Sequence, residues 1–101
     1  MIVEKPSEFN GGRKEWAMYL NRNLRYPPEA MSARIMGDVV VMFWIDTDGK
    51  AKDINLYKSV QVLLDGEALR LITDSPAWNA AENNGKKVRS FKRQGITFRT
   101  E

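Results

Sequence analysis

At 101 residues, with 43% hydrophobic and 10% aromatic side chains, the chain is long enough for one compact core, and we interpret residues 1–101 as a single domain. Cysteine and histidine are both absent, which excludes disulfides, thiol nucleophiles, the usual zinc ligands and a histidine general base. The net charge is +3, but six basic residues and no acidic residue fall between Asn83 and Thr100, so the C-terminal end is locally positive. We therefore expect no enzyme and no bound cofactor or metal.

Helical periodicity is clearest between Arg13 and Leu24. Apolar side chains recur there at three- and four-residue spacing, at Trp16, Tyr19 and Leu20, and polar residues occupy the opposite arc. This pattern predicts an amphipathic helix over residues 13–24.

Two consecutive prolines interrupt the helical pattern. Pro27 biases Tyr26 away from helical geometry and Pro28 suits the first position of a new turn, so we predict a break followed by a short helix, Pro28–Arg34. A helix that stops at such a break leaves backbone carbonyls near its end without intrahelical partners. Asn23 falls within the apolar arc of the first helix, where an amide needs a polar partner.

The next apolar run, "GDVVVMFWID", predicts a β-strand because it is rich in β-branched and aromatic residues. Its apolar residues occupy both parities, and the pattern leaves open whether the face of Phe43 or the face of Trp44 is buried. The Asp-Gly turn in "DTDGK" and the returning stretch "AKDINLYKS" complete a β-hairpin.

A further helix is predicted by the spacing of Leu64, Ala68, Leu71 and Ile72, with Asp65 as its N-cap residue. The proline in "DSPAW" ends it, and "NNGKK" forms a turn.

The last predicted strand is "VRSFKRQGITF", Val88–Phe98. Its polar and cationic residues indicate an edge strand, because lysine and arginine on an edge discourage pairing with other chains. The same residues break the alternation that Ile96 and Phe98 would require, and we expect a β-bulge near Gly95 to relieve the mismatch.

Three other interpretations of the charged residues are weak. A calcium loop in "DTDGKAKD" fails because no register places both the glycine and the first ligand correctly. Asp46, Asp48 and Asp53 are better explained as solvated turn residues than as an acid–base pair. The basic stretch near Phe91 contains only one aromatic residue, so we do not expect nucleic acid as a partner.

Six segments in order carry a resemblance to a known family. They are the Gly-Gly pair before the first helix, "NLRYPPEA", the strand and turn from Gly37 to Gly49, "LLDGEALRLI", "PAW" and "NGKKV". Together, from about Glu8 to Phe98, the chain resembles the C-terminal domain of the TonB family, the energy transducers of Gram-negative bacteria, and is most similar to the branch common in Bacteroidetes. The family's N-terminal membrane anchor and Pro-rich spacer have no counterpart in these residues.

The resemblance implies an α+β fold, in which two main helices pack on one face of a small antiparallel β-sheet. It also implies a periplasmic domain, tethered to the inner membrane in the full-length protein, that binds the TonB box of outer-membrane transporters by β-strand addition. Proton-motive force would reach it from the ExbB/ExbD motor through the N-terminal part and drive active import.

The resemblance further implies the partner-binding residues. The family's docking strand corresponds to Val88, Arg89, Ser90, Phe91, Lys92, Arg93 and Gln94. Asn23 and Arg25 are expected to contact the docked peptide, and Tyr26 and Pro27 to shape the corner beside it. The alternative for this corner is a capping amide followed by a simple helix-to-helix turn.

A second class of function stays open. If the helices cover only one face of the sheet, the other apolar face of the strand containing Phe43 and Trp44 is exposed. Such a face suits a homodimer, or an envelope interaction module without a role in transport.

Overall fold

The structure is a computed structural model, and it describes residues 4–100. Its helices and strands are, in chain order, β1 (Glu8–Phe9), α1 (Gly12–Asn23), α2 (Pro28–Ser32), β2 (Gly37–Ile45), β3 (Ala51–Lys58), α3 (Val62–Thr73), β4 (Trp78–Asn79), β5 (Ala81–Asn83), β6 (Lys86–Val88) and β7 (Ser90–Phe98).

The central element is a three-stranded antiparallel sheet in the order β3-β2-β7. One face of β2 is entirely buried: Val39, Val41, Phe43 and Ile45 have no exposed surface. The residues between them, including Trp44, are only partly buried. The question that the sequence left open is therefore decided in favour of the Phe43 face.

Helices α1 and α3 cover this buried face, so the expected α+β fold is confirmed. Leu64, Ala68, Leu71 and Ile72 of α3 enter the core completely. α1 contributes partly buried side chains and has no fully buried residue. The predicted span of α1 is confirmed to within one residue, whereas α3 begins four residues before the predicted start.

The predicted N-cap of α3 is wrong. Gln61 precedes the helix with extended backbone, and its side-chain oxygen accepts a hydrogen bond from the N–H of Leu63. Asp65 lies within the first turn, where its buried carboxylate accepts bonds from Ser59 and from the N–H of Val60. Asp65 therefore fixes the preceding loop to the helix. This role could not be predicted from the sequence because it depends on the path of the loop.

The predicted limits and bulge of the last strand are also wrong. Val88 belongs to the short β5–β6 hairpin, where it pairs with Ala81, and β7 begins only at Ser90. The β2–β7 register then runs without a shift from Ile45 opposite Ser90 to Gly37 opposite Phe98. The inward-facing polar residues of β7 need no bulge because they form hydrogen bonds with other polar groups, which are described below.

The β2–β3 hairpin is fixed against β4 at Gly49. This glycine has a φ of +81°, and its carbonyl accepts a 2.7 Å hydrogen bond from the N–H of Trp78. A Cβ atom at Gly49 would lie 2.3 Å from the Trp78 carbonyl oxygen.

We predict that Gly49→Ala lowers the free energy of unfolding by about 2 to 4 kcal/mol, because it combines a steric clash with an unfavourable φ. Gly66→Ala is the matched control, since Gly66 lies within α3 and a Cβ there meets no atom within 4 Å. The free energy of unfolding of this control should instead rise by about 0.5 to 1 kcal/mol, because alanine has a higher helix propensity than glycine. Urea unfolding of the three proteins tests both signs, and equal effects would contradict the proposed clash.

Candidate functional site

Strand β7 has an open edge. It pairs with β2 on one side, and no other strand in residues 4–100 pairs with it. Nine consecutive residues remain in regular register with β2, which gives an edge about 30 Å long. Along such an edge, backbone N–H and C=O groups point away from the sheet and are available to an added strand. We call this the docking edge.

The other edge of the sheet, β3, is less suitable. Its pairing with β2 shifts register twice, between Val40 and Val41 and between Met42 and Trp44. Asp53, within the second irregularity, has a left-handed φ of 53°. Bulges of this kind twist an edge and interrupt its row of hydrogen-bonding groups. The sequence identified β7 as an edge, but its regularity is visible only in the structure.

The N-terminal segment, Lys5–Phe9, runs along the inner side of β7. Lys5 forms two backbone hydrogen bonds with Glu82, and β1 pairs with β4. Ser7, which is almost completely buried, meets the Ser90 hydroxyl at 2.8 Å and accepts a 3.2 Å bond from the Lys92 ammonium on its carbonyl. These contacts explain how polar residues of β7 face inward without a bulge.

A groove lies between this segment, the start of α1 and the first half of the docking edge. It has a volume of about 650 Å³. Its lining combines aromatic rings with charged groups of both signs, since Arg13 and Lys92 are positive and Glu8 is negative. The lining residues are Pro6, Ser7, Glu8, Phe9, Gly12, Arg13, Trp16, Trp78, Lys92 and Gln94.

Lys92 is the most unusual ionisable group in the groove. Burial removes water from its ammonium group and lowers its pKa, an effect that the nearby Glu8 carboxylate partly opposes. The ammonium also lies 5.7 Å from the centre of the Trp78 ring.

The corner at residues 23–27 is held by α3. Because Pro27 has no N–H, the carbonyl of Asn23 lacks its intrahelical donor, and the Arg70 guanidinium donates to it at 2.8 Å. Glu67, 9% exposed, accepts two bonds from Arg70 and a 2.6 Å bond from the N–H of Arg25. The unpaired carbonyl expected from the prolines is therefore satisfied by a charged pair on a distant helix.

The predicted corner residues make different contacts. The exposed Asn23 side chain donates to the Tyr19 carbonyl at 2.9 Å, which is the capping arrangement considered as the alternative. Arg25 is exposed, and the Tyr26 hydroxyl donates to the Ile35 carbonyl. Pro27 precedes α2, and its carbonyl accepts a bond from Met31.

The two halves of the predicted site lie at opposite ends of the docking edge. The Tyr26 ring packs edge-on against Phe98, with ring centroids 5.7 Å apart. Phe98 is six residues beyond Lys92, a distance of about 20 Å along the strand. A peptide on the edge would reach both the groove and the corner only if it covered most of β7.

The residues of the docking strand divide between the two faces of the sheet. Ser90, Lys92 and Gln94 point inward and are half-buried, whereas Phe91 and Arg93 point outward. Arg89 lies between β6 and β7 and pairs with Asp53. Val88 is part of β6 and does not lie on the docking edge.

The aspartates of the β2–β3 turn are solvated. Asp46 and Asp48 lie 3.2 and 3.4 Å from the Lys52 ammonium. Backbone N–H bonds, followed by Lys52, lower the pKa of both carboxyl groups. Within residues 4–100, no cluster of carboxylates suited to a metal ion occurs, and no helix is long and apolar enough to cross a membrane.

Sequence reasoning missed Ser7, Trp16 and the Glu67–Arg70 pair as parts of the site. Glu67 did carry a signal, because it lies three residues after Leu64 on the apolar arc of α3, where a glutamate needs a partner. Ser7 carried none, since its burial depends on how the N-terminal segment crosses β7.

These features define a small α+β domain with a long, regular, exposed edge strand, a class of domain suited to strand addition. The sequence profile of the family described as "Gram-negative bacterial TonB protein C-terminal" matches residues 22–100. The chain therefore belongs to this family. The family and fold are those of the TonB-type energy transducers, whose C-terminal domains are periplasmic and interact with outer-membrane transporters.

A solved structure supports the fold independently. The solution structure of the C-terminal domain of Helicobacter pylori TonB (residues 179–285 of that protein) aligns with a TM-score of 0.65 and 23% sequence identity, covering 84% of this chain and 77% of that one. No curated protein matches the chain at a significant level. Neither positive match identifies a branch of the family.

We predict that Glu67→Gln lowers the free energy of unfolding by about 2 kcal/mol, because the change removes the charge that Arg70 and the Arg25 N–H both contact. Glu29→Gln, at an exposed glutamate of α2, is the control and should have little effect. Urea unfolding measures both. Amide shifts at residues 25–26 should also move in Glu67→Gln, and their constancy would argue against the proposed contact.

We predict that the stability of Lys92→Met relative to wild type depends on pH, because the substitution removes a desolvated ammonium group together with its hydrogen bond to the Ser7 carbonyl. In wild type, the lowered pKa of Lys92 means that the unfolded state binds more protons between the folded-state pKa and the ordinary value of 10.5, so stability rises with pH in that window. The urea midpoint of Lys92→Met relative to that of wild type should therefore fall as pH rises toward 10.5. Lys86→Met, at an exposed lysine, should show no such trend.

Proposed function

We propose that this domain is the receptor-binding tip of an energy transducer. It captures the TonB box, a short extended segment of an outer-membrane transporter, as an added strand on the docking edge. Proton-motive force from an inner-membrane ExbB/ExbD motor is passed through it to drive import. The observation that carries the proposal is the nine-residue, regularly paired and open edge of β7.

The energetics of strand addition suit a joint between the domain and the transporter that forms and breaks repeatedly. Each backbone hydrogen bond contributes only about 0.5 to 1.5 kcal/mol net, so a joint of several such bonds is weak at rest. The bonds share an applied force because they lie side by side along the edge. The groove adds selectivity, since alternate side chains of a docked strand point into it toward Trp16 and Lys92.

The N-terminal segment gives a route for force. Tension from a preceding tether would enter the described fold at Glu4, whose N–H donates to the Asn83 side chain, and at Lys5, which is bonded to Glu82. Ser7 then contacts Ser90 and Lys92 of β7 itself. The point where a pull arrives is thus adjacent to the strand that holds the partner, with little intervening structure to deform.

In this proposal, the predicted partner-binding residues contribute to peptide binding to different extents. Ser90, Phe91, Lys92, Arg93 and Gln94 form the part of the docking edge beside or opposite the groove. Asn23, Arg25, Tyr26 and Pro27 form a rigid corner at its far end, which a longer segment would reach. Val88 and Arg89 lie before β7 and are expected to contribute least.

A second candidate function is an envelope interaction or dimerisation module without a role in transport. The observation that favours it is the exposure of two aromatic residues on the uncovered side of the sheet, Tyr57 at 57% and Phe91 at 47%. Sedimentation equilibrium over a wide concentration range tests this candidate. A mass that stays monomeric would count against a homodimer.

We predict that peptides from the N-terminal periplasmic segments of the organism's own outer-membrane transporters shift the amide signals of residues 90–94. N-methylation along such a peptide should show a two-residue alternation, because only every second N–H of an added strand faces β7. Methylation at one parity should abolish the shifts, and methylation at the other should be tolerated.

The control is a peptide of the same composition in scrambled order. Proline within the central part of the peptide should also abolish the shifts, because it removes a donor and restricts φ. Absence of shifts with every transporter peptide at millimolar concentration would refute receptor coupling. Shifts that do not alternate with the position of N-methylation would show that the peptide binds, but would refute strand addition.

A further inference from the structure

The side of the central sheet opposite the core, which we call the outer face, remains uncovered. It is formed by Val40, Met42 and Trp44 of β2, Tyr57 of β3, and Phe91 and Arg93 of β7. The core and the helices that cover it, α1 and α3, lie on the other side. The outer face is therefore a surface for which the described residues provide no cover.

Two arginines are already ordered on this face. The guanidinium of Arg93 lies 4.5 Å from the centre of the Tyr57 ring, and that of Arg89 lies 4.5 Å from the centre of the Trp44 ring. Phe91 packs edge-on against Trp44 with centroids 5.4 Å apart. An arginine held against an aromatic ring can still bind a carboxylate, as Arg89 binds Asp53, and much of its ordering cost is already met.

The outer face has a net positive charge, although the exposed Asp38 of β2 also lies on it. Lys58, opposite Val40 in the β2–β3 ladder, and Arg93 make no ion pair with any residue in 4–100, whereas Arg89 is paired with Asp53. Charge complementarity therefore favours an acidic occupant. A second copy of this chain is disfavoured, because it would bring the same cationic side chains together.

The outer face is continuous with the docking edge. Phe91 and Arg93 lie on β7, so a strand added at that edge would place its own alternate side chains beside them on the same face. A protein that inserts a segment at the edge thus brings its adjoining surface over the outer face.

We propose that the outer face binds an acidic surface of the same outer-membrane transporter whose extended segment docks on β7. This inference rests on the proposed function and adds a second contact that an isolated peptide cannot supply. Aromatic rings form its centre and arginine and lysine its rim, the composition typical of protein interfaces that exclude water at the middle.

The experiment compares two probes: the whole transporter, purified in detergent, and the isolated peptide of its N-terminal periplasmic segment. The variants are Lys58→Glu and Tyr57→Ser, which lie on β3, two strands and about 10 Å from the docking edge. Lys14→Glu, at an exposed lysine of α1, changes the net charge equally and serves as control. Thermal unfolding of each variant checks that the fold is intact.

We expect Lys58→Glu and Tyr57→Ser each to weaken binding to the whole transporter about fivefold at low salt. Peptide affinity should stay the same in Lys58→Glu, and Lys14→Glu should match wild type with both probes. Tyr57→Ser also releases Arg93 of the docking edge, so only its loss of whole-transporter binding beyond any loss of peptide binding counts. Lys58→Glu should also reduce the salt dependence of whole-transporter binding, because one interfacial charge pair is lost.

Unchanged affinity of both variants for the whole transporter would overturn the inference and leave strand addition intact. It would also be overturned if the domain dimerised through this face, seen as a concentration-dependent mass that Tyr57→Ser abolishes. Binding to the generic polyanion heparin as tightly as to the transporter would overturn it as well. Failure of the wild-type domain to bind the peptide would instead contradict the proposed function itself.

Discussion

The uninterrupted pairing of β2 with β7 is the constraint on which the rest of the structure depends. β2 is the central strand, and its fully buried side chains, Val39 to Ile45 at every second position, form the floor on which α1 and α3 pack. Regular pairing with β2 keeps β7 straight over nine residues. The same ladder thus stabilises the core and leaves a regular backbone edge on its far side.

A second constraint acts through the two prolines after Tyr26. They end α1 and deprive the Asn23 carbonyl of its helical donor, and the chain compensates with Arg70 and Glu67 of α3. Because Glu67 also binds the Arg25 N–H, the corner is fixed to the helix that covers the sheet. These hydrogen bonds hold the corner in place at the far end of the docking edge.

The two faces of β7 differ in what they offer a partner. On the inner side, the N-terminal segment satisfies the polar groups of Ser90 and Lys92 and forms a groove with aromatic walls. On the outer side, the guanidinium groups of Arg89 and Arg93 lie over the rings of Trp44 and Tyr57. A strand docked on β7 would point alternate side chains toward the groove on the inner side and toward the outer face on the other.

The sequence by itself determined the helices, the hairpin and the edge character of the last strand, because these depend on periodicity, turn residues and proline, which act within a few residues. Its family resemblance, confirmed by the match over residues 22–100, supplied the fold. Tertiary structure alone decided which face of β2 is buried, why Asp65 is not a cap, and why β7 needs no bulge at Gly95. Two of these depend on a partner far away in the chain: Phe43 on α3, and Lys92 on Ser7, 85 residues distant. Asp65 depends on the fold of the loop just before it, which turns Ser59 and the N–H of Val60 back onto its carboxylate. Local patterns carry no information about such partners until the chain has folded.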